Sequence, residues 1–346
     1  MASSEILCVG ELLWDALPAG LFLGGAPFNV ACHLRAAGLA VAMVSRVGAD
    51  HLGDEALRRA ARYGIATDLV QVDPALPTGL VRVTLDEAGE GGFDIVAPAA
   101  WDAIELNDAL LGRASEARAI VFGSLAQRSA VTRATVERLW ATGALLVFDA
   151  NLRAPYDDPE VVRRSLRSAA VVKVSDRELW RLASWFGLPG GAPGGALRRG
   201  ARRGPAPNVG GRPNTARAGA RGDAPPVVPH GTPQSAPMRE TVAALADAFG
   251  CRTVCVTRGG HGAALWDDGQ WTEHPGFEVE VRDTIGAGDA FLAVLLAGLL
   301  AGTEARAILQ HANLIAAYVA TQPGAVPADQ PAGAPPVGPP PAIPGE

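Results

Sequence analysis

Lysine is nearly absent from this chain: among 30 basic residues the only lysine is Lys173. A Gly-x-x-x-x-Gly-Lys-Ser/Thr loop therefore cannot occur, and a P-loop nucleotide site is excluded. Cysteine is scarce too. Cys8, Cys32, Cys251 and Cys255 show no metal-ligand spacing, and each sits in an apolar pattern that suits a buried free thiol. The histidines are scattered, without a His-Glu-x-x-His helix, and no nucleophile elbow surrounds Ser124. Metallohydrolase and serine-hydrolase chemistry thus have no residues to act through. The net charge of −6 gives no overall basic field for nucleic acid. The longest apolar run, 290–301, is too short to span a bilayer, and residues 1–4 carry no signal-peptide pattern. No membrane partner and a cytoplasmic location are expected.

What is present alternates. Short apolar runs at 6–9, 41–47, 80–85, 119–122, 145–149, 171–174, 253–257 and 263–266 read as strands. Helical patterns lie between many of them, at 27–37, 54–63, 131–141, 160–168, 176–186 and 238–249. The alternation predicts an α/β fold with a mostly parallel central sheet covered on both faces. Two segments, 11–24 and about 79–98, look extended instead, with a turn at 86–92.

The most informative stretch is Asp283-Thr284-Ile285-Gly286-Ala287-Gly288-Asp289, ahead of an apolar helical run. Such a turn aims the backbone N–H groups of Gly286, Ala287 and Gly288 at an anion, and the following helix adds its positive dipole end. A carboxylate beside an anion cradle suits phosphoryl transfer to an alcohol. The N–H groups offset charge on the moving phosphoryl while Asp289 takes the hydroxyl proton. Read alone, the same residues also describe a turn whose Asp caps a helix.

This stretch resembles the carboxy-terminal signature of the ribokinase-like sugar kinases, the pfkB family. Four further motifs follow that family's order and spacing. They are Gly24-Gly25-Ala26-Pro27-Phe28-Asn29-Val30-Ala31 with the preceding 9–15, then Phe148 to Arg153, Lys173 to Glu178, and Val256 to Gly262. The resemblance covers about 5–326, and Gly10-Glu11, Asp15 and Ala100-Trp101-Asp102 most resemble bacterial fructokinases. It implies a ribokinase-like three-layer sandwich with a small β-sheet lid made by the two extended segments. It also implies ATP and Mg2+ as cosubstrate and cofactor, a potassium-type cation, and a homodimer formed through the lid. A catalytically silent sugar-binding regulator on the same fold is the alternative from outside enzymology.

Residue by residue, the resemblance implies Asp289 as base, Gly286, Ala287 and Gly288 as anion hole, and Arg153 as a fork for the phosphate. Asp15, Gly24, Gly25 and Asn29 would meet the sugar. Ser175, Thr257, Gly259, Gly260, Gly262 and Asn313 would line the nucleotide. Glu178 would act on magnesium through water, and Asp283 would hold a monovalent cation, although Ile285 stands where the family usually has threonine. Local readings compete: Ser175-x-x-Glu178 is also a capping box, and Arg153 could pair with Asp157 or Asp158. The lid segments carry no pair of arginines, which favours a neutral sugar such as fructose over 2-keto-3-deoxygluconate. Ribose and nucleosides stay open as acceptors.

Residues 187–237 hold 12 glycines and 10 prolines with seven arginines against one acid, so no apolar period can bury a core and disorder is expected. The proline-rich tail at 327–346 reads the same way.

Overall fold

Every residue of the first strand, β1 (Ile6–Val9), is fully buried, because both faces of its sheet are covered. The computed structural model describes residues 5–17, 20–85, 91–191 and 235–327. After β1 come β2 (Leu13–Leu17), β3 (Gly20–Gly24), α1 (Ala26–Ala36), β4 (Val41–Gly48), α2 (His51–Arg62), β5 (Val70–Asp73), β6 (Gly79–Leu85) and β7 (Gly91–Ile95). The middle of the chain forms α3 (Asp108–Glu116), β8 (Ala119–Gly123), α4 (Ala130–Leu139), β9 (Leu145–Asp149), α5 (Pro159–Ser168), β10 (Val171–Ser175) and α6 (Asp176–Phe186). Then follow α7 (Ser235–Phe249), β11 (Thr253–Thr257), β12 (Ala263–Asp267), β13 (Gln270–His274), α8 (Ala287–Ala301) and α9 (Ala305–Ala320).

The main sheet has the order β13-β12-β11-β10-β9-β8-β1-β4-β5. Its strands are parallel from β11 to β5, and β12 alone runs against them, pairing antiparallel with both β11 and β13. Strand residues alternate between two cores. Leu7, Ile120, Phe148 and Val172 face α3 to α7, while Ile6, Val121, Val147 and Cys255 face α1, α2, α8 and α9. Fully burying each such aliphatic side chain contributes about 2 kcal/mol. The sheet is therefore the middle layer of three, as the alternating pattern predicts, and all four cysteines are buried free thiols.

A second sheet of four strands, ordered β3-β2-β6-β7, forms the small layer expected from the two extended segments. The 86–90 turn lies outside the described residues. Arg128 anchors this sheet where the chain leaves β7. Its guanidinium bonds Asp102 at 2.7 and 2.8 Å, stacks on Trp101 at 3.9 Å and donates to the Val96 carbonyl at 3.0 Å.

Some elements escaped the pattern. β5 and β13 are short or polar, with exposed positions, and α3 buries only Leu110 and Ala114, too few to show a period. α7 starts at Ser235 rather than 238, with Pro237 in its first turn, where a missing N–H is no loss. The irregular segment is also shorter than 187–237. Gly187 ends α6 in the left-handed region, Leu188 packs on the core, and Gly191 closes a turn on Leu188. The expectation of disorder falls on 192–234, and that for the tail on 328–346, both outside the described residues.

The Thr241 hydroxyl lies 2.8 Å from both the Pro189 and the Pro237 carbonyls, which ties together the chain on either side of 192–234. Replacing 192–234 with a short glycine-serine linker should leave turnover within about twofold and the melting temperature no lower, because shortening a loop reduces its closure entropy. A tenfold or larger loss, on the order of 1.4 kcal/mol, would place the segment against the active site.

Candidate active site

The carboxyl ends of β1, β8, β9, β10 and β11 converge on the start of α8, where a sheet of this kind leaves its crevice. Gly286 opens α8 in the left-handed conformation, φ 79°, and a side chain there would collide with Ala325. No side chain caps the helix. The N–H of Ala287 turns back to the Thr284 carbonyl at 3.3 Å, so it is a weaker member of the anion hole than its place in Gly-Ala-Gly implied. Gly288 and Asp289 lie in the first turn, where N–H groups have no partner within the helix.

Asn29 does more than its motif suggested. It is buried on α1, beside α8, and its amide donates to Asp289 Oδ2 at 2.8 Å. The bond spans 260 positions of sequence and fixes the direction of the carboxylate. Among the described residues Asn29 Oδ1 has no partner, so a buried acceptor stays open beside Asp289.

Behind Gly288 lies an ion pair that the motifs did not single out. Lys173 Nζ donates to both Asp149 oxygens, at 2.9 and 3.0 Å, with both residues buried. A Cβ built on Gly288 would lie 3.4 Å from that nitrogen. Burial acts to lower the lysine pKa, but the charges of Asp149, Glu178 and Asp289 leave it above its usual value. Burial pushes Asp149 upward, and Lys173 opposes the shift. The count of lysines was the one signal that could have drawn attention to this pair.

The residues expected to meet a sugar lie near the same spot. A side chain at Gly24 would overlap the Asp15 carboxylate, and one at Gly25, φ 109°, would overlap the Glu11 carbonyl. The two glycines therefore permit close approach within the chain itself, where approach to a ligand was expected. Burial raises Asp15 to about 6, with Arg153 opposing and Asp289 adding. Glu11 was not among the expected site residues. It is buried, its Oε2 has no partner among the described residues, and burial raises it to about 7. Arg153 is exposed at the end of β9 and its charge reaches Glu11 and Asp15. Its rival partners are engaged elsewhere: Asp157 pairs with Arg181, and Asp158 caps α5.

Of the residues expected at the nucleotide and its magnesium, Ser175 and Glu178 form a capping box on α6. Glu178 also accepts from the Leu152 N–H at 2.6 Å, which pins the loop after Asn151, a non-glycine residue at φ 36°. Thr257 sits at the end of β11, and side chains at Gly259 and Gly260 would meet open space. Gly262 serves packing instead, since a Cβ there would strike the backbone of His274 to Gly276. The Asn313 amide donates to Leu309 within its own helix at 2.7 Å, so that donor is already committed. Asp283 accepts from the N–H groups of Ile285 and Gly324, linking the turn before α8 to the chain after α9.

A family model for pfkB family carbohydrate kinases matches residues 18–199 and 231–332. The chain belongs to that family. Its gap, 200–230, falls between α6 and α7. Among curated proteins, this kinase is 28% identical to a fructokinase of Escherichia coli, over 94% of this chain and 96% of that one. Among solved structures, it matches a Xylella fastidiosa fructokinase with bound ATP, with TM-score 0.70, 25% identity and coverage of 93% and 94%. A Vibrio cholerae fructokinase double mutant, bound to fructose, ADP and potassium ion, aligns with TM-score 0.67 and 24% identity over 94% of each chain. The fold is therefore ribokinase-like and the activity is that of a carbohydrate kinase. No helix among the described residues is long and apolar enough to cross a membrane.

The raised pKa of Glu11 has a consequence for stability. The unfolded chain releases this proton near 4.5 and the folded one near 7, so the stability that Glu11 contributes is complete below about 4.5 and is lost as pH rises through 7. Glu11→Gln should therefore gain on the parent protein across that window, by up to about 3 kcal/mol. Denaturant unfolding of both proteins at a series of pH values measures the gap, and a gap independent of pH would remove the assignment.

Proposed function

We propose that this carbohydrate kinase is a fructokinase that uses Asp289 as general base. The observation that carries the mechanism is the Asn29 bond to Asp289 beside an uncapped helix start. Asp289 takes the proton of a primary sugar hydroxyl as that oxygen bonds the γ-phosphorus of ATP. The bond from that phosphorus to the β–γ bridging oxygen breaks, and ADP leaves with its electron pair. The N–H groups of the α8 start hold the phosphoryl oxygens, and Arg153 is the exposed cation at the entrance. Asp15 and the open Asn29 oxygen receive sugar hydroxyls. Magnesium, when bound, neutralises phosphate charge. Among the described residues no cluster of three or more acids, histidines or cysteines could hold it, which fits an ion that arrives with the nucleotide and meets Glu178 through water. Thr257, Gly259 and Gly260 line the nucleotide, with Asn313 the least supported of that group.

Fructose as the acceptor rests on likeness to the fructokinases and on the lid's lack of an arginine pair. A monovalent cation beside Asp283 and a homodimer through the lid belong to the same proposal. Leu21 and Phe22 support the dimer, being 47% and 39% exposed on β3, an edge strand.

ADP release from Mg-ATP, measured with fructose, ribose, glucose, 2-keto-3-deoxygluconate and adenosine, should be strong for fructose alone. Turnover on another acceptor would keep the mechanism and overturn the specificity. Asp289→Asn should bind ATP and sugar yet lose on the order of a thousandfold in kcat, and near-parental turnover would remove Asp289 from its role. Sedimentation should find a dimer that Phe22→Ser weakens.

A further inference from the structure

A buried ion pair is a poor way to stabilise a fold. Taking both charges out of water costs several kcal/mol per ion, and well-packed apolar residues of the same volume commonly do as well or better. The pair Lys173–Asp149 is nonetheless present, and it stands at one place: the end of β9 and β10, directly behind Gly288. The choice of cation is also specific. The chain uses arginine for every other basic position, yet here it uses its only lysine. An ammonium is a compact point charge, and here it lies 3.4 Å from where a Cβ on residue 288 would stand. The charges of three carboxylates, Asp149, Glu178 and Asp289, act on this ammonium. Asp149 bonds it bidentately, and Glu178 has its oxygens on Leu152 and Ser175. Asp289 is held by Asn29. The ammonium is thus fixed by Asp149 and lies beside the space that a side chain at Gly288 would fill.

We infer that Lys173 supplies positive charge to the transferring phosphoryl group from behind Gly288, with Asp149 as the residue that positions it. The inference rests on the phosphoryl-transfer site proposed above. Charge on the phosphoryl oxygens is offset from the front by the open N–H groups of α8 and from the back by a fixed ammonium that needs no reorganisation during the step. The absence of a Cβ at position 288 lets that field reach the phosphoryl without an apolar screen. Lys173 neither gives up nor takes a proton in the reaction.

Because Lys173 is the only lysine, carbon-13 labelling at lysine Cε gives one side-chain resonance from the intact protein. Adding ADP, magnesium and aluminium fluoride together, as a probe of the transferring phosphoryl, should shift that resonance well beyond the change caused by ADP and magnesium alone. An identical position in the two states would overturn the inference, and this readout needs no substitution. The second test compares Lys173→Met with the double variant Lys173→Met, Asp149→Asn. If the lysine merely neutralised Asp149, removing both charges would restore turnover to within about threefold of the parent. The field role predicts instead that the double variant, folded by circular dichroism, still loses about a hundredfold in kcat with the sugar KM changed by less than about twofold. Turnover on none of the panel sugars by the parent would sink the fructokinase reading, while the aluminium fluoride shift would still decide the role of Lys173.

Discussion

Unsatisfied positive charge at the start of α8 is the constraint on which the rest of this molecule depends. A helix start without a side-chain cap leaves N–H groups that need an anion. The chain keeps that end open by placing Gly286 in a conformation few residues tolerate and by backing it with Ala325. Around it stand acids that would repel the same anion: Glu11, Asp15 and Asp149 each feel the charge of Asp289. One lysine and one arginine balance them. The proposed phosphoryl site is therefore bordered by fixed charges of both signs.

Rigidity in this field comes from long-range bonds. Asn29 ties α1 to α8, Glu178 ties α6 to the loop after β9, and Asp283 ties the turn before α8 to Gly324. Each joins segments distant in sequence through a carboxylate, so the acids that shape the potential also fix the loops. The small sheet is attached differently, through the Arg128 stack on Trp101 and Tyr156 where β7 ends. On the other side Trp14 of β2 donates to the Leu52 carbonyl at 3.0 Å beneath Arg59.

Most of the main sheet was legible because its strands are buried on both faces, and an apolar run bounded by glycine or proline has few other meanings. β13, with Gln270, Thr272 and Glu273 in five residues, has no such run and takes its identity from pairing with β12. The turn before Asp289 was legible for a different reason: Gly286 to Asp289 is local, and its chemistry follows from the backbone. The bond from Asn29 to Asp289 could not be read, since nothing in either segment names the other. Gly24, Gly25 and Gly262 were recognised as necessary glycines, but sequence could not tell approach to a ligand from approach to Asp15, Glu11 or His274. Glu11 and Asp149 stood inside recognised motifs without a role, because a carboxylate just after or at the end of an apolar strand looks like a strand terminus until its burial is known.

The distribution of nucleophilic side chains sets how this kinase meets electrophiles. Its one side-chain amine is buried in an ion pair, and burial drives the thiols of Cys8, Cys32, Cys251 and Cys255 far from their reactive thiolate form. Acylating agents aimed at lysine and alkylating agents aimed at cysteine therefore find no exposed target among its side chains. Covalent attachment to a surface, a dye or a carrier falls instead to groups such as the exposed imidazoles of His51 and His261, the Tyr318 phenol or surface carboxylates.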